Sequence, residues 1–465
     1  MKKFLFIAVI TVVALAACKK DDDIRVKGVS LNHTSVTLIA GGIERLVATV
    51  SPSDATKKSW TWSTSDSLVA IVSSGGFVTA LEVGNAVITV TTDDGNKTAT
   101  CNITVTEPFS GGDGSSSSPF LITNATDLNT LSNLVNTGNP NYAVDGMWYR
   151  LTDNITLTSV PADSTNFTPI GTQTYRFQGN FDGNGKTIDS LIVTDSTDYT
   201  GLFGWVRDGT IQNLTLTNVN ISGARYTGGI TGLIQNWFTN SSITNCYVDG
   251  EISGTGEVGG IAGFVGSNSS IMSCFVSGSV SGSSNFVGGI VGYASGIVSN
   301  CYTACTVSSK LENVGGIAGR VYNGTVSNCY ATGAISGANY CGGIAGSNFG
   351  TVSGCVALNP SITRESGGAV SFGRVVGHNI SSLNNNAALN NMVADGGISF
   401  SDSDINGTAI TVAAAKMQST YSGSPRNWPF GMSVASPWRW GLSSSYPLPT
   451  LYWQAAMPIL PEHLY

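Results

Sequence analysis

Charge is scarce in this chain. Only 11% of its 465 residues are Asp, Glu, Lys or Arg, against about 25% in an ordinary globular protein. What charge there is sums to −7, so the basic footprint of a nucleic-acid-binding protein is missing and no nucleic-acid partner is expected. Histidine occurs three times, at 33, 378 and 463, and no His-Glu-x-x-His is present, which removes the commonest zinc-peptidase signature. No Cys-x-x-Cys occurs either, so no metal site and no cofactor are expected. Fourteen prolines are too few for a Pro-rich linker protein, and the 57 glycines do not recur at every third position, which excludes collagen. The apolar run Phe4–Leu15 is too short to span a bilayer.

What is present begins with that run. Lys2 and Lys3 precede it, and Leu15-Ala16-Ala17-Cys18 ends it, the layout of a secretory leader. The ending resembles a bacterial lipobox. The resemblance implies a lipoprotein signal peptide over 1–17, lipidation at Cys18 and a membrane partner through the N-terminal lipid. Lys19-Lys20-Asp21-Asp22-Asp23 forms an acidic tether over 18–23. It resembles the surface-export tag of Bacteroidota lipoproteins, so the expected location is the outer membrane, facing the cell exterior.

Residues 24–106 alternate apolar and polar side chains between turn signals. Strands are expected at Ser35–Leu38, Ile43–Val50, Val69–Val72, Phe77–Ala80, Ala86–Thr91 and Thr100–Thr106, the spacing of a small β-sandwich. Trp62-Ser-Thr-Ser-Asp66, Val69-Ala-Ile-Val72 and Gly84-Asn-Ala-Val-Ile88 resemble a bacterial immunoglobulin-like domain of group 2, a spacer or adhesive module of surface proteins. Cys101 has no second Cys in this segment and reads as a small core residue.

Residues 107–119 are Gly- and Ser-rich and read as a flexible linker. In the lead-in segment, 120–200, Leu128, Leu131, Leu134 and Val135 share one face of a helix over 124–136, with Asn124 or Thr126 as its cap. This helix is expected to cover an open β edge.

From 201 to 400 the chain repeats. Gly-Gly-Ile-x-Gly starts at 228, 259, 288, 315 and 342, with degenerate copies at 201 and 373. A period near 28 residues signals a solenoid. A second column, Leu214, Cys246, Cys274, Cys301, Cys329 and Cys355, runs in step. Just before it stand Asn213, Asn245, Ser273, Asn300, Asn328 and Gly354. Asn and Gly tolerate positive φ, so a bend is expected there, with apolar columns pointing inward on both sides. Each repeat then supplies about three short strands, one coil of a parallel β-helix. Val258-Gly-Gly-Ile-Ala-Gly263 and Thr325-Val-Ser-Asn-Cys-Tyr330 resemble the GLUG motif, found mostly in bacterial surface proteins and also in some IgA-cleaving metallopeptidases. The fold class is therefore all-β: an immunoglobulin-like sandwich followed by a parallel β-helix (β-solenoid) with capping segments.

Chemistry is harder to place. Fifty-two uncharged residues separate Glu257 from Lys310, and 43 separate Arg320 from Arg364. Glycoside hydrolysis needs two carboxylates about 5–9.5 Å apart, and the central coils have none to offer. Asp182, Asp208, Asp249, Glu251 and Glu257 read as turn and solubility residues, and the protein is expected not to be an enzyme. The five stacked Cys are expected to be buried free thiols, with Cys305 and Cys341 as packing variants. One residue after the Cys column stand Tyr247, Phe275, Tyr302 and Tyr330. Alternation turns them outward, as a ladder able to stack on a glycan or simply to stabilise the surface. Ser67 and Ser190 lie in Asp-Ser-Leu tripeptides that fit an O-glycosylation pattern. The Trp- and Pro-rich segment 401–465 is expected to close the solenoid's end. The expected function is adhesion or binding to host glycan, mucin or another cell surface. The alternatives are a purely structural envelope protein and a polysaccharide-degrading β-helix enzyme.

Overall fold

The computed structural model describes residues 23–465, apart from 159–160, 162–163, 195, 366–370, 395–399, 401–403, 442–444 and 455–458. Cys18 and the leader lie outside the described residues. Two compact units divide at Glu107/Pro108.

The first unit is the β-sandwich. Gly84–Thr92 pairs antiparallel with Thr98–Thr106, and that strand pairs parallel with Ser35–Ile39. Thr98–Thr106 buries alternate residues (Cys101, Ile103 and Val105), as a strand with one face on the core must. Cys101 is a buried free thiol. The strand expected over 43–50 is broken into Ile43–Arg45 and Ala48–Ser51. At the break, fully buried Leu46 donates its N–H to the Gly76 carbonyl at 2.9 Å instead of continuing one ladder.

The second unit begins at Pro108. Within 108–119, Phe109, Gly114 and Pro119 are buried and most of the other residues are exposed. Phe109 is buried with its ring 5.2 Å from Phe120, and Trp148 donates its N–H to the Gly114 carbonyl at 2.8 Å. Gly114 has φ of 79°, and a Cβ on it would meet the Phe120 ring at 2.5 Å, so it serves both a left-handed backbone and a close approach. The helix forms over Ala125–Asn136. Asn124 Oδ1 accepts from the N–H groups of Thr126 and Asp127, a standard N-cap worth about 1 kcal/mol. Its buried face is Leu128, Leu131, Leu134 and Val135, and Ser132 donates to the Thr168 carbonyl at 2.7 Å.

The solenoid coils stack in parallel register. Ile211, Ile243, Ile271, Val298, Val326 and Val352 pair in succession, and all are fully buried. Each such side chain contributes about 1.5–3 kcal/mol by leaving water. A coil has one strand more than expected. After Tyr247–Gly254, a two-residue strand, Val258–Gly259, precedes Ala262–Val265 and Ser269–Met272. These short strands form a six-stranded sheet of their own.

The bend is where the Asn column puts it. Asn213, Asn245, Ser273, Asn300, Asn328 and Gly354 have φ of 54°, 56°, 54°, 53°, 53° and 65°. The motif glycines do something else. Gly259 has no positive φ, but a Cβ there would lie 2.1 Å from the Ala262 carbonyl oxygen. Asparagine turns the chain, and glycine lets two backbones touch.

Candidate functional site

The expected aromatic ladder forms. Tyr247, Phe275, Tyr302 and Tyr330 are register partners. Successive ring centroids are 4.8, 4.1 and 4.7 Å apart, with interplanar angles of 4°, 15° and 10°. It is not open to a ligand. Tyr302 and Tyr330 are fully buried, Phe275 nearly so and Tyr247 half-buried, which corrects the expectation that alternation turns all four outward. Outward from the coil is here inward to a second layer.

That layer is the C-terminal segment, which does not act only at the solenoid's end. Trp438 covers the Tyr302 and Tyr330 rings at 6.2 and 5.9 Å. Tyr302 donates to Gln454 Oε1 at 2.6 Å, and Tyr330 donates to the Pro449 carbonyl at 2.7 Å. The segment also reads off the bend column in reverse. Trp428 Nε1 donates to the Gly354 carbonyl, Trp438 Nε1 to Asn300 Oδ1 and Trp453 Nε1 to the Ser273 carbonyl, while Asn245 Nδ2 donates to Tyr452 Oη. Residues 428–441 and 445–454 thus form a strap along the flank. Burial pushes the Tyr302 and Tyr330 phenols well above their ordinary range, so both stay protonated donors.

A second column is half-exposed at Phe264, Tyr293, Arg320 and His378 and buried at Trp205, Leu233 and Ser347, and the repeat pattern did not flag it. Trp205, Leu233, Phe264, Tyr293, Arg320, Ser347 and His378 pair in register, each one residue after the last glycine of a motif. The period could have revealed it. Its chemistry could not, because ring, aliphatic and cation alternate. Beside it lie Tyr199, Tyr226, Phe286 and Tyr340, held at positive φ of 64°, 59°, 68° and 47°. Tyr226 stacks on Tyr199 at 5.3 Å, and Phe264 on Tyr293 at 5.3 Å. Arginines sit among these rings. The Arg320 guanidinium is 4.4 Å from the Phe349 centroid and 5.2 Å from Tyr322. Arg176 and Arg207 flank Trp237 at 5.4 and 4.7 Å.

Trp237 and Phe238, 55% and 83% exposed, belong to extra residues in the longest coil. Asp208 Oδ1 holds them by accepting the backbone N–H groups of Trp237, Phe238 and Thr239 at 2.7, 2.9 and 3.1 Å. Burial raises the Asp208 pKa, but these donors outweigh it and hold the carboxyl below its ordinary range. The other carboxylates singled out in the sequence are structural partners too. Glu257 receives both Arg225 donors at 2.9 Å. Asp182 accepts from Arg150 and Asn213, and Asp249 from Ser277. Glu251 is exposed.

All eight described cysteines are free and buried. Burial pushes the Cys274 and Cys329 thiols well up, and those of Cys305 and Cys341 to about 12. No group of His, Cys, Asp and Glu able to hold a metal occurs among the described residues. Ser67 is exposed in a turn. Ser190 is half-buried and donates to Asp189 Oδ2 at 2.9 Å. On another flank, a groove of about 430 Å³ is lined by Ser253, Ser281, Ser308 and Lys310, with no ring.

Sandwich, strapped solenoid and aromatic–arginine stripe define a modular β-repeat protein. The chain carries a bacterial Ig-like domain (group 2) over residues 25–103, followed by GLUG motifs at 223–253 and 311–336. It is 33% identical to halomucin of Haloquadratum walsbyi over 159 residues, 33% of this chain and 2% of that one. It is 30% identical to an immunoglobulin A1 protease of Streptococcus sanguinis over 234 residues, 48% of this chain and 12% of that one. The chain therefore matches only a small part of these relatives. A crystal structure from Bacteroides ovatus, provisionally described as an immunoglobulin A1 protease, shares the fold. Its TM-score is 0.52 at 22% identity, covering 75% of this chain and 96% of that one.

These likenesses overturn the expectation that the protein is not an enzyme. Two of the similar proteins are described as proteases. Scarce carboxylates argue only against paired-carboxylate hydrolysis of glycosides and leave other reaction classes untouched.

Proposed function

We propose that this chain is a cell-surface binding protein, anchored in the outer membrane by lipid on Cys18, which displays its solenoid through the Ig-like spacer. The ligand face is the half-exposed stripe, and the ligand is a glycan, mucin or another cell's surface. A surface location agrees with the chain's likeness to halomucin. The observation that carries the reading is the row Phe264, Tyr293, Arg320, Tyr322 and Phe349, which stays half-exposed or exposed while the parallel ladder is strapped over. Exposed contiguous rings cost hydration, and such patches mark interaction sites. The test is a glycan array probed with the wild-type chain and with a Tyr293→Ala/Tyr322→Ala variant. Binding that the double variant loses supports the reading. Binding that it keeps removes the stripe as the site.

A second reading follows from the Streptococcus sanguinis likeness: action on immunoglobulin A1. Incubation with human immunoglobulin A1, read for heavy-chain fragments and for a stable complex, decides it.

A further inference from the structure

We infer that the arginine nodes of the stripe, Arg320 and the Arg176–Arg207 pair, select an acidic carbohydrate, a chain of sugars carrying carboxylate or sulfate groups. This rests on the reading of the stripe as a glycan face. Elsewhere the arginines near carboxylates are paired: Arg25 with Asp94, Arg150 with Asp182 and Arg225 with Glu257. Among the described residues Arg320 and Arg176 have no carboxylate within ion-pair distance. In a chain of net charge −7, these two cations stand among rings, 4.4 Å from Phe349 and 4.6 Å from Trp205, without a counter-charge.

Geometry says what they offer. Arg320 is ringed by Phe349, Tyr322, Phe286 and Tyr293 at 4.4 to 5.6 Å. Rings stack against the guanidinium and Arg320 Nε is buried without a partner, which leaves the terminal Nη1–Nη2 edge as the donor pair. That edge matches a carboxylate or sulfate with two parallel hydrogen bonds. Arg176 stacks on Trp205 at 4.6 Å and shares Trp237 with Arg207. Each of the two arginines opposes the other's charge; Asp208 lies 3.7 Å from Arg207 Nε, so Arg176 is the member of the pair left for an anion to offset. A face built for neutral sugars needs the rings alone, and partly buried cations there cost desolvation for nothing.

Register sets the ligand's length. Trp205, Leu233, Phe264, Tyr293 and Arg320 are successive partners, so the two nodes lie about 19 Å apart at a strand spacing of about 4.8 Å. An oligosaccharide of several residues bridges them, and a monosaccharide does not.

The experiment titrates the full chain, in detergent, with size-matched heparin-derived, galacturonate and neutral dextran oligosaccharides. Arg320→Gln and Arg176→Gln are measured alongside, with thermal melts to verify folding. Acidic oligosaccharides are expected to bind at least tenfold more tightly than neutral ones, and each variant to lose about tenfold for the acidic ligand, the worth of one charged hydrogen bond. Heparin against galacturonate separates sulfate from carboxylate. Equal binding of dextran, unchanged in both variants, overturns acid selectivity and leaves the glycan face standing. Binding of none of the three by the wild type removes the glycan reading and this inference together.

Discussion

Tyr302 donates its phenolic proton to Gln454, 152 residues further along the chain, at 2.6 Å. One bond thus ties the middle of the aromatic ladder to the strap that roofs it. Both groups are buried, so neither can replace the other with water. Gln454→Ala should cost about 1–3 kcal/mol, the penalty of leaving a buried hydroxyl without a partner.

The strap's main anchor is Trp438, fully buried against Tyr302 and Tyr330. Trp438→Ala should lower stability by about 3–5 kcal/mol, measured as a shift in the urea midpoint. A shift below about 1 kcal/mol would mean that the strap rests on the ladder without stabilising it.

The left-handed bend makes a sharper prediction. Asn328 has φ of 53°. Asn328→Gly should leave the urea midpoint nearly unchanged, whereas Asn328→Val should cost more than about 1–2 kcal/mol, since a branched side chain is strained there. Equal effects of the two would refute the assignment of this column to backbone conformation.

Asp208 links pH to the exposed Trp237–Phe238 loop. Its folded pKa is depressed. Its hold on the loop is therefore fully present above the ordinary carboxylate value of 3.8, and is lost as pH falls through the lower, folded value. Trp237 fluorescence should stay flat from pH 7 down to about 5 and change below about 4. Asp208→Asn should abolish that acid transition, and a transition that survives the substitution would point to another group.

The thiol ladder should be silent. With eight described cysteines buried and burial raising the Cys274 and Cys329 pKa, iodoacetamide at pH 8 should label none of them in the native chain and all of them in urea. Labelling of Cys301 in the native state would show that the coils open at that point.

The coils were legible because each column repeats one chemistry. Asn213, Asn245, Asn300, Asn328 and Gly354 announced a positive φ five times over, and the structure shows it there and at Ser273, which takes its conformation from its place in the column. Three things were not legible. Nothing in Trp428, Trp438 or Trp453 says which face a non-repeating segment will cover, because docking is decided by the partner surface. The stripe from Trp205 to His378 repeats a position without repeating a residue type. Ser110 to Ser118 has a linker's composition, yet its glycines serve close contacts such as Gly114 against Phe120.

Solenoid genes lengthen and shorten by whole repeats, since one coil more or less leaves every other coil unchanged. The strap withdraws that freedom from part of this molecule. Its tryptophans and Tyr452 meet Gly354, Asn300, Ser273 and Asn245 in turn, as a ruler meets its marks. A coil duplicated between those marks would leave the strap out of step with the bends it must reach. Repeat number between Asn245 and Gly354 is therefore fixed by a segment outside the repeats. Variation in length is confined to the coils the strap does not measure.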